Sequence, residues 1–128
     1  MIEGIEHLYE QIAESIQDSI PEEWATAKME AVFYPDGSQY LGEYTRKSDG
    51  VARNFTTDLG GERAFRELRK LFRNAEQPLW GRARFEMTSD GQFSMKWEYN
   101  DCDDEGYAKF DEEVELRNSE DRHRRLTT

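Results

Sequence analysis

Cysteine, histidine and proline are scarce in this chain of 128 residues, which contains one, two and three of them, respectively. The single cysteine, Cys102, excludes a disulfide within the chain, and one cysteine with two histidines is too few for an ordinary zinc site. A cysteine nucleophile needs a base, yet neither His7 nor His123 is near Cys102 in sequence. A catalytic Cys–His pair would therefore require the fold to bring Cys102 and a histidine together. Neighbouring carboxylates should also raise the pKa of the Cys102 thiol, so the sequence predicts a protein that is not an enzyme.

Long apolar runs and basic charge are also lacking. No stretch approaches the length of a membrane span, and the start of the chain does not resemble a signal peptide, so we expect a cytoplasmic location. The 17 basic residues are outnumbered by 28 acidic ones, which gives a formal net charge of −11. This charge disfavours direct binding to nucleic acid and favours a partner with a basic surface. A soluble acidic protein without such a partner is the simpler interpretation of composition alone.

Two amphipathic helices are predicted from apolar residues that recur at steps of three and four. The first spans 2–20 and is ended by Pro21, and the second spans 62–75 with Asp58 as its candidate N-cap. Each helix also carries a charged stripe. We interpret the acidic stripe as solvated, with docking as the alternative. The basic stripe is either solvated or complementary to the acidic helix, with nucleic-acid contact as the alternative. The stripes are Glu3, Glu6, Glu10, Glu14 and Asp18 on the first helix, and Arg66, Arg69, Lys70 and Arg73 on the second.

Strict alternation of apolar and polar residues predicts a hairpin at 80–99 that turns at Asp90-Gly91, and side chains on alternate sides predict strands at 25–34 and 38–44. A further short strand is expected at 51–55. In the hairpin, a row of apolar side chains on each strand should face the same way and be covered by other elements. The rows are Ala83, Phe85 and Met87, then Phe93, Met95, Trp97 and Tyr99. The element order predicts an α+β fold, with an antiparallel sheet of about four to five strands and helices packed on one face, in a single domain spanning 1–128.

The hairpin leads into residues 100–106, which we call the acidic loop. Tyr107 and Phe110 should hold the segment that follows it on the sheet. Dense carboxylates beside an ordered hairpin form a candidate partner-binding surface, although a solvated loop explains them equally well. The candidate residues are Glu98, Asp101, Asp103, Asp104, Glu105 and Glu112.

A calcium site is the alternative interpretation of the same loop. Acidic residues and a glycine occupy positions one, three, five, six and twelve of an EF-hand-like pattern, namely Asp101, Asp103, Glu105, Gly106 and Glu112. A glutamate at position five, Ala108 at position eight, and a strand in place of the entering helix all count against calcium. We therefore predict no metal and no cofactor, with a calcium-binding or carboxylate-based module as the alternative function.

Three blocks of the sequence together resemble a known family. They are 8–24 with its Ile20-Pro21-Glu22-Glu23-Trp24 ending; Phe65, Leu68, Leu71, Phe72 and Arg73; and Trp80, Phe85, Gly91-Gln92-Phe93, Trp97 and Tyr99. In this order and spacing, over about residues 5–105, the chain resembles the YezG-like immunity (antitoxin) proteins of bacterial polymorphic toxin systems. After Gly106 the chain departs from the longer helical ending usual in that family.

The resemblance implies a small cytoplasmic protein that binds and neutralises the C-terminal domain of a cognate toxin, with nucleases among the toxins. Immunity families share no catalytic residues, so the resemblance carries over no functional residue. A nuclease holds phosphates in a basic cleft, which an acidic surface can occlude without any chemistry. We expect no direct contact with nucleic acid or membrane, and a monomer is the default assembly.

Overall fold

The secondary structure comes from a computed structural model that describes residues 4–99, 102–103 and 105–108. The elements are α1 (Ile5–Ser19), β1 (Trp24–Tyr34), β2 (Gly37–Arg46), β3 (Ala52–Phe55), α2 (Leu59–Asn74), β4 (Arg82–Thr88) and β5 (Phe93–Glu98). All strand pairs are antiparallel, and they form one sheet in the order β3-β2-β1-β4-β5. The predicted α+β fold, both helices and the hairpin are therefore confirmed. In the described part of the chain, no helix is long and apolar enough to cross a membrane.

Local signals explain where the helices begin and end. Ile20, the residue before Pro21, has extended dihedrals and caps α1, because proline disfavours a helical residue before it. Asp58 is the N-cap of α2, and its Oδ1 accepts a hydrogen bond of 2.9 Å from the Gly61 backbone N–H. The same oxygen accepts a hydrogen bond of 2.5 Å from the hydroxyl of Ser15 in α1. One carboxylate therefore caps the second helix and ties it to the first.

The core lies between the helices and one face of the sheet. On β1 one row of side chains, Ala27, Met29, Ala31 and Phe33, is buried, and Met29 and Ala31 have no exposed surface. On β4 the inward row is buried as predicted, including a fully buried Phe85. The helices contribute a stripe of buried side chains to the same cluster, namely Leu8, Ile12, Ile16, Ala64, Phe65, Leu68 and Phe72. Both helices thus lie on the same face of the sheet, as predicted.

The prediction that other elements cover the aromatic row of β5 is only half right. Met95 and Trp97 are half-buried, but Phe93 and Tyr99 are exposed, with relative solvent exposures of 51% and 47%. The reason is topological, because β5 is an edge strand and receives less cover than the central strands. Of the predictions for chain ends, Glu3 and Phe110 lie outside the described residues.

We expect Asp58→Ala to lower the free energy of unfolding by about 1–2 kcal/mol, because it removes the N-cap of α2 and the acceptor for Ser15 together. Asp58→Asn keeps an acceptor oxygen at the same place and should cost clearly less. Urea denaturation of the two variants measures the difference. Equal losses would show that Asp58 does not act through these hydrogen bonds.

A second prediction concerns Glu22, which follows α1 and contacts β2. Its carboxylate accepts hydrogen bonds from the Tyr44 hydroxyl (2.6 Å) and from Arg46 Nε (3.0 Å). The hydrogen bond from Tyr44, and then the charge of Arg46, hold the pKa of Glu22 below its usual value. A lowered folded-state pKa stabilises the fold at neutral pH, and this contribution is lost as the pH falls through that pKa.

Glu22→Gln should therefore be less stable than the wild type at pH 7, with a difference that narrows as the pH falls below about 5. Glu23→Gln is the matched control, because it removes the same charge from an exposed neighbour. Thermal unfolding from pH 3 to pH 7 follows both variants. A Glu22→Gln deficit that is independent of pH would contradict the assignment.

Candidate partner-binding site

The predicted site residues divide into those that the structure describes and those that it does not. Glu98, Asp103 and Glu105 are described, whereas Asp101, Asp104 and Glu112 lie outside the described residues. The described ones lie where β5 ends and the acidic loop follows.

The described part of the acidic loop is folded around the carboxylate of Asp103. Asp103 Oδ1 accepts hydrogen bonds from the backbone N–H groups of Glu105 (2.9 Å) and Tyr107 (3.0 Å). The Asp103 backbone N–H donates to the Tyr107 carbonyl at 2.8 Å, and the Gly106 N–H donates to the Asp103 carbonyl at 3.0 Å. Gly106 has φ +79°, which glycine adopts without steric cost. These bonds give the loop a defined turn, and the side chain of Glu105 is exposed on it.

The base of the loop is bonded to the sheet. Cys102 and Ala108 form an isolated antiparallel bridge, and the Ala108 N–H donates to the Phe33 carbonyl in β1 at 2.7 Å. The Cys102 thiol lies 3.7 Å from the Glu98 carbonyl. The fit against Gly81 is close, because a Cβ there would lie 2.7 Å from Cys102 Sγ and 2.6 Å from Ala108 N. The loop therefore rests directly on the backbone that leads into β4.

Arg69 of α2 closes the loop from behind. Its side chain is buried, with a relative exposure of 6%, and it donates from Nη2 to the Gly106 carbonyl and from Nε to the Trp80 carbonyl at 3.3 Å. The guanidinium carbon lies 4.2 Å from the Tyr107 ring centroid and 5.2 Å from that of Phe33. Such distances are typical of cation–π contacts. One side chain thus joins α2, the sheet and the acidic loop.

The predicted outward basic stripe is wrong for Arg69, which is buried. Arg69 follows Phe65 by four residues and precedes Phe72 by three, so it shares their buried face of α2. The neighbouring Lys70 is exposed as expected. The helical spacing of Arg69 indicates a buried position, whereas its charge indicates an exposed one, and the spacing is the better guide here. Two backbone carbonyls and two aromatic rings take the place of a carboxylate partner in the interior.

These contacts shift the pKa values of two groups behind the loop, the Tyr107 hydroxyl and the Cys102 thiol. Hydrogen bonds from Arg73 and Arg69 hold the pKa of Tyr107 below its usual value. Burial raises the pKa of the Cys102 thiol, and the charge of Asp103 adds to the effect. The predicted rise is confirmed, but its main cause is burial rather than the carboxylates. A thiol with a raised pKa is a weak nucleophile.

The described part of the calcium-like pattern uses its oxygens internally. The backbone carbonyl at position seven of an EF-hand ligates the ion, and here that carbonyl, from Tyr107, accepts the Asp103 N–H. Asp103 Oδ1 is bonded to two backbone N–H groups, and the Gly106 carbonyl accepts from Arg69. Among the described residues, no three His, Cys, Asp or Glu side chains cluster closely enough to hold a metal. The geometry of this half of the pattern does not favour calcium.

Glu98 has different surroundings from the loop carboxylates. Its side chain projects from the sheet face turned away from the helices, and Arg82 lies opposite it in the β4–β5 ladder. A shallow groove on that face also contains Glu30, Arg84 and Lys96. The structure therefore brings Asp103 and Glu105 together in the loop, whereas the Glu98 side chain lies apart from them, on a surface of mixed charge.

The chain matches a known protein family. The family model described as immunity protein YezG-like matches residues 5–60 and 53–118. The two ranges include both helices, all five strands and the acidic loop. No protein among the curated ones matches the chain.

Arg69→Met should lower the free energy of unfolding by about 2–4 kcal/mol, because it leaves the buried carbonyls of Trp80 and Gly106 without a donor. Hydrogen exchange at the Ala108 amide should also become faster, since the loop loses its clamp. Lys70→Met is the control, because the Lys70 side chain is 67% exposed and its loss should change stability by less than about 0.5 kcal/mol. Unchanged exchange at Ala108 in a destabilised Arg69→Met would show that Arg69 supports only the core.

Proposed function

The chain belongs to the YezG-like immunity protein family, and on that basis we propose that it neutralises a cognate nuclease toxin by occluding the toxin's basic site. Family membership suggests an immunity or antitoxin role and implies a toxin partner. Immunity proteins of this kind are generally not enzymes. We further propose that the partner is the C-terminal domain of a polymorphic toxin, and that neutralisation takes place in the cytoplasm by one domain spanning 1–128.

The observation that carries the proposal is that the described part of the acidic loop is held in a defined conformation. The Asp103 carboxylate and Arg69 from α2 hold the loop backbone, and Gly106 accepts one of the clamping hydrogen bonds. An ordered loop loses little conformational entropy on binding, so more of its interaction energy appears as affinity. A flexible run of carboxylates would lack this advantage.

Charge supports a nuclease as the target. A nuclease holds the phosphates of its substrate with lysine and arginine, so its active cleft attracts carboxylates as well. The net charge of −11 would speed the encounter, because complementary fields steer association. The proposed toxin-facing surface consists of Glu98, Asp101, Asp103, Asp104, Glu105 and Glu112. Its role is to fill the cleft and exclude nucleic acid, which needs no bond to form or break.

The acidic stripe of α1 is the main competing surface. Glu6, Glu10, Glu14 and Asp18 are exposed, and in the described part of the chain none of them forms an ion pair. The loop is favoured because hydrogen bonds fix the backbone of its described residues and because it directly follows the exposed Tyr99.

Two variants with equal changes in net charge separate the two surfaces. Each replaces four carboxylates by amides, which keep the shape of the side chains and the acceptor oxygen of Asp103. The loop variant carries D101N, D103N, D104N and E105Q, and the helix variant carries E6Q, E10Q, E14Q and D18N.

At low salt the loop variant should associate with the toxin domain encoded beside this gene about 10-fold or more slowly, and the helix variant less than about 3-fold more slowly. Stopped-flow association at 20 mM and 300 mM salt measures both, with toxin activity on nucleic acid as the functional readout. Salt should reduce the difference between the loop variant and the wild type, because it screens exposed charges.

Unchanged association of the loop variant would refute the acidic loop as the toxin-facing surface. If the helix variant associates more slowly than the loop variant, α1 and not the acidic loop is the toxin-facing surface. Absence of wild-type binding, or binding without loss of toxin activity, would refute the proposed function itself.

A further inference from the structure

β5 forms one edge of the sheet, and within the described residues no strand pairs with its outer side. An antiparallel ladder uses the backbone groups of alternate residues towards the neighbouring strand, so the other residues present their N–H and C=O groups outwards. The opposite edge is β3, which has only 4 residues, whereas β5 has 6. The longer edge is the one that continues into the acidic loop.

A row of partly exposed apolar side chains follows this edge. We call Phe93, Met95, Trp97 and Tyr99 the aromatic strip. In the described part of the chain, four large hydrophobic residues are exposed, and two of them, Phe93 and Tyr99, lie at the ends of this strip. Scattered exposed apolar residues are ordinary, but an aligned row is typical of a binding surface.

Two rings of the strip, those of Phe93 and Trp97, are held rigidly because they pack on the core. The Phe93 ring stacks on Phe85 with 5.1 Å between centroids, and the Tyr9 ring of α1 meets it edge-on at 5.6 Å. At the other end, the Trp97 ring lies 4.8 Å from Phe72 and 4.9 Å from Trp80. Aromatic side chains that are already immobile lose little entropy on binding, which is why they dominate the energies of many interfaces.

Negative charge borders the strip on both sides. Exposed Glu6 and Glu10 flank Tyr9 on α1, and Glu98 and Glu105 lie at the loop end. The single lysine of β5, Lys96, is paired with Glu86 at 3.7 Å. A second copy of this acidic chain would bring the same charges together and be repelled, whereas a basic partner would be attracted.

We propose that a segment of the cognate toxin adds to β5 as an extra strand, with alternate apolar residues on the aromatic strip and lysine or arginine beside them. This inference rests on the proposed function and extends it. The aromatic strip supplies the buried centre of the interface, and the acidic loop supplies its charged rim. Backbone pairing along β5 fixes the register of the partner strand.

The test compares two double variants that each remove two exposed apolar side chains. Phe93→Ser with Tyr99→Ser removes the ends of the strip, and Leu41→Ser with Leu59→Ser removes the two other exposed hydrophobic residues, which lie outside the hairpin. Calorimetry with the toxin domain encoded beside this gene should show about 100-fold weaker binding for the strip variant and less than about 3-fold for the control.

Hydrogen exchange of the wild-type complex provides an independent readout of strand addition. The outward-facing amides of β5 should exchange at least about 10-fold more slowly in the complex than in the free protein. If the double strip variant does not fold, Tyr99→Ser alone serves, because Tyr99 lies beyond the end of β5, and it should weaken binding by about 10-fold.

Each contrary outcome has a distinct meaning. Wild-type binding that survives the strip substitutions, or β5 amides that stay unprotected in the complex, would overturn this inference and leave the proposed function standing. A concentration-dependent dimer that the strip variant loses, with toxin binding unchanged, would overturn it in favour of a second copy of the chain. Absence of any wild-type binding would overturn the proposed function and this inference together.

Discussion

The buried guanidinium of Arg69 is the interaction on which the geometry of the acidic end of the molecule depends. A charge in the protein interior is costly unless hydrogen bonds compensate for it, and here the carbonyls of Trp80 and Gly106 do so. The two carbonyls belong to the segment before β4 and to the acidic loop, so compensation of the charge also joins these segments to α2. The rings of Phe33 and Tyr107 complete the enclosure. The loop conformation is thus determined from inside the molecule.

The charge of the acidic loop and the rigidity of its surroundings have different physical effects. Exposed carboxylates attract a basic partner over distances that salt limits to about 8 Å at physiological ionic strength. Contact energy at short range comes from apolar side chains, and of the exposed rings on the hairpin, Tyr99 lies next to the start of the loop, whereas Phe93 lies at the far end of β5. Like charges crowded into a short loop repel one another, which would favour an extended chain. The positive charge of Arg69 behind the loop, and the hydrogen bonds to Asp103, oppose that expansion.

Local patterns predicted most of the fold, and non-local contacts explain what they missed. Periodicity located the helices and strands, and Asp58 was identified as an N-cap because its partner Gly61 is three residues away. The burial of Arg69 does not follow from its charge, which is typical of an exposed residue, although its helical spacing is that of a buried one. Its bond to Gly106 spans 37 residues, which no local pattern reports. Alternation showed which way Phe93 faces, but it could not show that β5 is an edge strand.

The central position of β1 has a consequence for how the molecule forms. β1 pairs early with β2, since Tyr34 of β1 and Gly37 of β2 lie opposite each other across a tight turn. The other neighbour of β1 is β4, which is distant in sequence, and there Val32 lies opposite Arg82. Pairings between distant segments are slow, because a long loop must close first. During synthesis one side of β1 therefore stays open until the fourth strand has left the ribosome. The Arg69 clamp also needs Gly106, so a nascent chain can fix the acidic loop in place only late, after residue 106 has emerged.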